Sequence, residues 1–283
     1  MKLVSFKRDG SASWGVVIGD DVVDMGRRLR GRFPTLRSAL EADALDLISE
    51  DARAAQADLP CSAIELLPPV PDPDKIIGFG LNYREHVLES GQPIPLYPSV
   101  FLRLAKTLVG HGESLVIPKQ SVELDYEVEL AIVIGKAGRH VRPADALGHV
   151  AGYSCFNDAS VRDFQFEHSL TVGKNFEATG GFGPWIVTRD EIPDPGRLAV
   201  KTRINGVEVQ NGNTDDLIFD VPAMVAYVSS FTTIVPGDVI ATGTPQGVGF
   251  ARNPPLWLRP HDVVEVEVER VGILRNPVIA EAG

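Results

Sequence analysis

The chain has 283 residues, 44% hydrophobic and 23% charged, with a formal net charge of −11. That length supports a large core in one large domain or two unequal ones, and that balance is globular rather than disordered. The acidity argues against a nucleic-acid partner, which needs clustered Lys and Arg, and no apolar run nears the roughly 18 residues that cross a membrane. The opening MKLVSFKRDG alternates like a strand and lacks the apolar core of a signal peptide. Cys61 and Cys155 are too few for a disulfide framework and show no metal spacing, so a cytoplasmic location is expected. An acidic protein that handles an anionic small molecule needs a local cation, and an enzyme of that kind is the leading class.

Residues 1–70 read as a small N-terminal unit. MKLVSFKRDG and WGVVIGDDVVDM are short strands, and FPTLRSALEADALDLISEDARAAQADL is a helical stretch. The proline-dense LPPVPDPDK that follows is a linker or an extended entry strand. From 71 to 283 short β-like runs recur, among them KIIGFG, SVFLRL, VAGYSCFND, GPWIVT and VVEVEVERVGIL. Helix is confined to REHVLES, SVRDFQFEHS and DVPAMVAYVSSF. Without regular alternation of strand and helix, the predicted fold is mainly β with few helices (α+β), mixed and mostly antiparallel.

LDYEVELAIVIGK, residues 124–136, carries the first candidate chemistry. At period two, Asp125, Glu127 and Glu129 share one strand face. Same-face neighbours lie roughly 6 to 7 Å apart, from a rise of about 3.3 Å per residue. Two carboxylates that close either face water, shift their pKa or hold a cation. Asp158, closing VAGYSCFNDAS, could complete a three-carboxylate set of the kind Mg²⁺ takes, although an Asp at a strand end is more often a turn former. In GFGLNYREHVLES, Tyr83, His86 and Glu89 fall three apart, on one side of a helical turn. A His oriented by a carboxylate is what general-base catalysis needs, and a surface ion pair is the plainer reading. Arg103, costly to bury alone in FLRLAK, joins Gln165, Lys174 and Thr244 of the glycine-rich ATGTPQGVG as groups that could hold an anion.

Taken in order, DYEVEL, AGY…ND.S.RD.Q, GKNF, GGFGPWIVT and PGDVIATGTPQGVG resemble the fumarylacetoacetate hydrolase family from about residue 72 onward. NYREHVLE is similar to that family's mobile segment. The resemblance implies a mixed β-roll or sandwich paired as a homodimer. It makes Glu127, Glu129 and Asp158 ligands of Mg²⁺ or Mn²⁺, His86 and Glu89 the catalytic pair, and Lys174 the active-site lysine. Gln165 and Thr244 match substrate-contacting positions. Two departures concern loops: His261 stands where members usually carry Gly, and Gly181 where Pro or another residue is common. The implied reaction is metal-assisted hydrolysis of a C–C bond in a 2,4-dioxo acid, giving pyruvate and a carboxylic acid. Decarboxylation of oxaloacetate is the alternative, followed by isomerisation or hydrolysis of oxo acids from aromatic or sugar-acid breakdown. A catalytically dead scaffold is the rival from another class.

Overall fold

The computed structural model describes residues 1–282. The strand Val128–Ile134 organises it: all seven residues of VELAIVI, six of them apolar, are buried, as in a strand covered on both faces. It pairs antiparallel with Val150–Asn157 on one side and with Val239–Ala241 on the other. These strands belong to a twelve-stranded sheet whose far edge is Ser99–Arg103, paired with Ile76–Gly80. A five-stranded sheet containing Ala199–Ile204, Val207–Asn213 and Val263–Val268 packs against it, and Leu130, Ile132, Val200 and Val266 meet in the shared core. The mainly β, mixed architecture expected from the strand runs is the one the chain adopts.

The first seventy residues join this sheet. Strand Lys2–Arg8 pairs with Gly180–Thr188 through Lys2↔Val187 and Leu3↔Ile186. Leu3, Trp14, Leu36 and Ile48 share one core with Ile76, Val133 and Phe182. The helical stretch read there is two helices, Leu36–Glu41 and Leu45–Ala54, separated where Asp43 takes φ +52°. Thr35 and Ser38 cap the first of them reciprocally.

The two family departures have local explanations. His261 sits at φ +77°, in the left-handed region that glycine enters without steric cost. At Gly181 a Cβ would come 2.9 Å from Asn276 Oδ1 and 3.0 Å from Leu274 Cδ2, so a larger residue there requires those two side chains to shift. Among the described residues no helix is long and apolar enough to cross a membrane.

Candidate active site

The acidic stretch is not one strand. Leu124–Asp125 pairs with Ser160–Val161, the ladder lapses at Tyr126 and Glu127, and the long strand begins at Val128. Side chains from other strands satisfy the backbone there: the Glu127 N–H donates to Asn157 Oδ1 (3.0 Å) and the Val128 N–H to Gln210 Oε1 (3.0 Å). This irregularity turns Glu127 toward Glu129 and Asp158, and all three carboxylates offer oxygens within 4.8 Å of one another. All three are buried.

Three cations surround them. Arg103 pairs with Asp158 and donates to Thr107 Oγ1 (3.1 Å), the Ala159 carbonyl (3.1 Å) and Thr179 Oγ1 (2.9 Å). Its guanidinium lies over Gly180, where a Cβ would approach to 2.6 Å. Lys174 Nζ lies 2.6 Å from Glu127 Oε2 and 2.5 Å from Asp158 Oδ2. Arg162 reaches Asp125 (2.8 Å), Glu127 (2.5 Å) and Gln165 Oε1 (2.9 Å), with its guanidinium 4.6 Å from the Phe250 ring centre.

Counting Asp125, four buried carboxylates therefore face three cations. Burial alone would raise the Glu127 pKa, but Lys174 and Arg162 outweigh it and lower the value. Glu129 has neither cation in contact, and burial, then Asp158, then Glu127 push it well above the carboxylate range. The surplus negative charge is thus met by a proton on Glu129 or by an added cation. Asp158 Oδ2 has Lys174 close by charge but no donor aligned for a hydrogen bond. Three clustered hard oxygen donors without Cys or His fit a divalent cation of the Mg²⁺ or Mn²⁺ kind.

Across the cavity stands the helix Arg84–Glu89. His86 Nδ1 lies 3.3 Å from Glu89 Oε2, and Glu89 Oε1 accepts from the Gly247 N–H at 2.9 Å. The His86 ring packs edge-on to Phe250, with centroids 6.4 Å apart. The cavity measures about 340 Å³, and its remaining wall is mostly apolar, with Phe79, Leu81, Phe101, Phe166, Leu170 and Phe250 beside the polar Ser90, Gln92 and Ser99.

His86, Glu127, Glu129, Asp158, Gln165, Lys174 and Thr244 all line this one cavity. Glu89 stands behind His86. Arg103 and Tyr83, read as substrate contacts, are placed one layer back. Arg103 is occupied by Asp158. Tyr83 is the N-cap of its helix, at φ −110° and ψ 133°, so it does not share the helical face of His86 and Glu89. Its hydroxyl is fully buried without a partner, and that burial raises its pKa. Sequence reasoning missed Arg162, Phe250 and Gln210. Only Arg162 left a signal, three residues before Gln165 on the helix Arg162–Glu167.

The family model for the fumarylacetoacetate (FAA) hydrolase C-terminal domain matches residues 75–279. A mitochondrial oxaloacetate tautomerase of Homo sapiens is 42% identical over 243 residues, 84% of this chain and 77% of that one. The fumarylacetoacetate hydrolase of psychrophilic Exiguobacterium antarcticum has the same fold at TM-score 0.83 and 34% identity, covering 99% of this chain and 100% of that one. Maleylpyruvate hydrolase from Sphingobium sp. SYK-6, solved with manganese(II) and pyruvate, gives TM-score 0.84 at 32% identity over 100% of each chain.

Proposed function

The chain belongs to the fumarylacetoacetate hydrolase family, and on that premise we propose a divalent-metal-dependent enzyme that acts on a 2-oxo acid through its enolate. Tautomerisation of oxaloacetate is the first reaction we assign to it. One observation carries the reading: three clustered carboxylates and a His–Glu pair face each other across one cavity. Glu127, Glu129 and Asp158 would hold Mg²⁺ or Mn²⁺, which when bound supplies Lewis-acid polarisation of the oxo group. His86 takes the proton from the carbon next to that group and can return it there or pass it to the oxygen. Glu89 holds the imidazole in the tautomer whose other nitrogen is free to accept. Lys174 and Arg162 border the cavity and offset the negative charge that develops on the enolate. The buried rings of Phe79 and Phe101 shield it from water on their side.

Hydrolysis of an acylpyruvate is the second reading, supported by the likeness to maleylpyruvate hydrolase and by a His–carboxylate pair suited to activating water. Decarboxylation of oxaloacetate ranks third. We include a homodimer in the proposal, because the edge strand Ser99–Arg103 turns Val100 and Leu102 outward, 37% and 56% exposed. We also propose a cytoplasmic setting, on the two free thiols Cys61 and Cys155.

The test offers oxaloacetate enol, acetylpyruvate and fumarylpyruvate with Mg²⁺ or Mn²⁺ to wild-type and His86→Ala protein. Faster enol decay without CO₂ or pyruvate, lost in the variant, supports the tautomerase. Pyruvate plus an acid from an acylpyruvate promotes the hydrolase. No turnover of any of the three overturns the proposal.

A further inference from the structure

Gln210, on the strand Val207–Asn213, is 1% exposed, and its amide makes four hydrogen bonds. Oε1 accepts from the Val128 N–H (3.0 Å) and the Thr202 hydroxyl (2.7 Å). Nε2 donates to the Pro245 carbonyl (3.0 Å) and to Thr244 Oγ1 (2.9 Å). These partners fix the orientation of the amide: reversed, it would set a donor against the Val128 N–H and an acceptor against the Pro245 carbonyl. The strand is pressed onto the loop that carries Thr244. A Cβ at Gly212 would come 2.5 Å from Pro245, and Gln246 Nε2 donates to the Asn211 carbonyl at 3.0 Å.

A hydroxyl both accepts and donates. Thr244 Oγ1 accepts from Gln210, and among the described residues no group accepts its hydrogen. Thr244 is 4% exposed and lines the cavity beside Glu127, Glu129 and Lys174. Its hydrogen is left for whatever anion enters.

We propose that Gln210 is a positioning residue that commits the Thr244 hydroxyl to donate to the carboxylate of the bound oxo acid. Its other end holds the Val128 amide beside Glu127, so one side chain sets both the metal side and the carboxylate side of the cavity. The inference rests on the oxo-acid reading above.

The test is a double-mutant cycle of Gln210→Glu and Thr244→Val, read by calorimetric titration of Mn²⁺-loaded protein with oxalate. Glutamate keeps the shape but presents an acceptor to Thr244, which turns its hydroxyl away from the cavity. A protonated glutamate can donate to Pro245 and still accept from Thr244. Each single variant is expected to weaken oxalate by about 10- to 100-fold, the range for a hydrogen bond to a charged group. The double variant should be no weaker than Thr244→Val alone, with Mn²⁺ affinity and the metal-free melting temperature near wild type. A Gln210→Glu loss that persists undiminished in the Thr244→Val background overturns the inference, as does an equal loss of Mn²⁺ affinity. Should Gln210→Glu fail to fold, Gln210→Met takes its place under the same expectation of non-additivity. Oxalate binding indifferent to Thr244→Val overturns this inference alone. A wild-type protein that binds no oxalate overturns the oxo-acid reading with it.

Discussion

The two walls of the cavity are made by different means. The charged floor takes its carboxylates and Arg103 from strands and their ends, and Arg162 and Lys174 from the start of the helix Arg162–Glu167 and the end of Leu170–Gly173. Each of its three cations is held by at least one buried carboxylate. The apolar roof joins the buried strand residues Phe79 and Phe101 to Phe166 and Leu170 on the short helices Arg162–Glu167 and Leu170–Gly173, and its outer part meets solvent: Phe166 is 61% exposed. A floor so tied is preorganised for charge, because no group needs to move when charge develops. The roof's open side, at Phe166, can adjust to different substrate tails. Specific chemistry and adaptable selectivity are thereby assigned to separate parts of one cavity.

The hardest test of that division is His86→Ala, since His86 faces the floor from the roof. It should lower turnover by about 10² to 10⁴ while the melting temperature changes little. A large drop in stability would show that the roof is as tightly knit as the floor. Next comes Arg103→Met, which strips Asp158 of its guanidinium. Removing one partner of a buried pair costs about 3 to 5 kcal/mol, seen as lower chemical stability of metal-free protein. Saturating Mn²⁺ should restore part of the loss, because a ligand that binds only the folded state stabilises it.

On the roof, Phe166→Ala should leave stability within about 0.5 kcal/mol, as for most exposed positions. Its effect belongs in KM, which should rise for longer acylpyruvates and stay flat for oxaloacetate. Equal effects on both substrates would contradict an adaptable roof.

The smallest effect lies outside both walls, at His111, and serves as the control. Burial first, then the nearby Arg275 charge, lower its pKa, and its Nδ1 accepts from the Arg275 N–H at 3.2 Å. The unfolded chain, titrating near the ordinary value of about 6.5, therefore binds more protons than the native state just below that pH. Stability should fall as pH drops through that value. His111→Gln keeps an acceptor for Arg275 and should flatten this part of the urea-midpoint profile without touching turnover.

How much of this was legible follows from how far apart the partners lie in sequence. Glu127 and Glu129 could be paired because strand period is local, and His86 with Glu89 because helix period is. Asp158, which from its place at a strand end reads more often as a turn former, joined the two glutamates only through the family resemblance. Arg162 with Asp125 spans 37 residues and Gln210 with Val128 spans 82, and no periodic pattern encodes such distances. Tyr83 misled for a related reason: three-residue spacing implies a common face only if every residue lies inside the helix. The mixed antiparallel architecture was readable from alternating runs and turn signals. The pairing of Lys2–Arg8 with Gly180–Thr188 was not, since strands recruit partners by burial rather than by order.

That last pairing bears on how the protein avoids self-association. Without residues 1–70, the strand Gly180–Thr188 loses its partner at Ile186 and Val187. Ile76, Val133 and Phe182 lose the side chains that now cover them. An open strand edge beside an uncovered apolar patch is a template for aggregation. A fragment starting at residue 71 would keep every acid, cation and dyad residue of the cavity and still be expected to precipitate. On that expectation the N-terminal segment would guard the solubility of a cavity whose lining includes none of its residues.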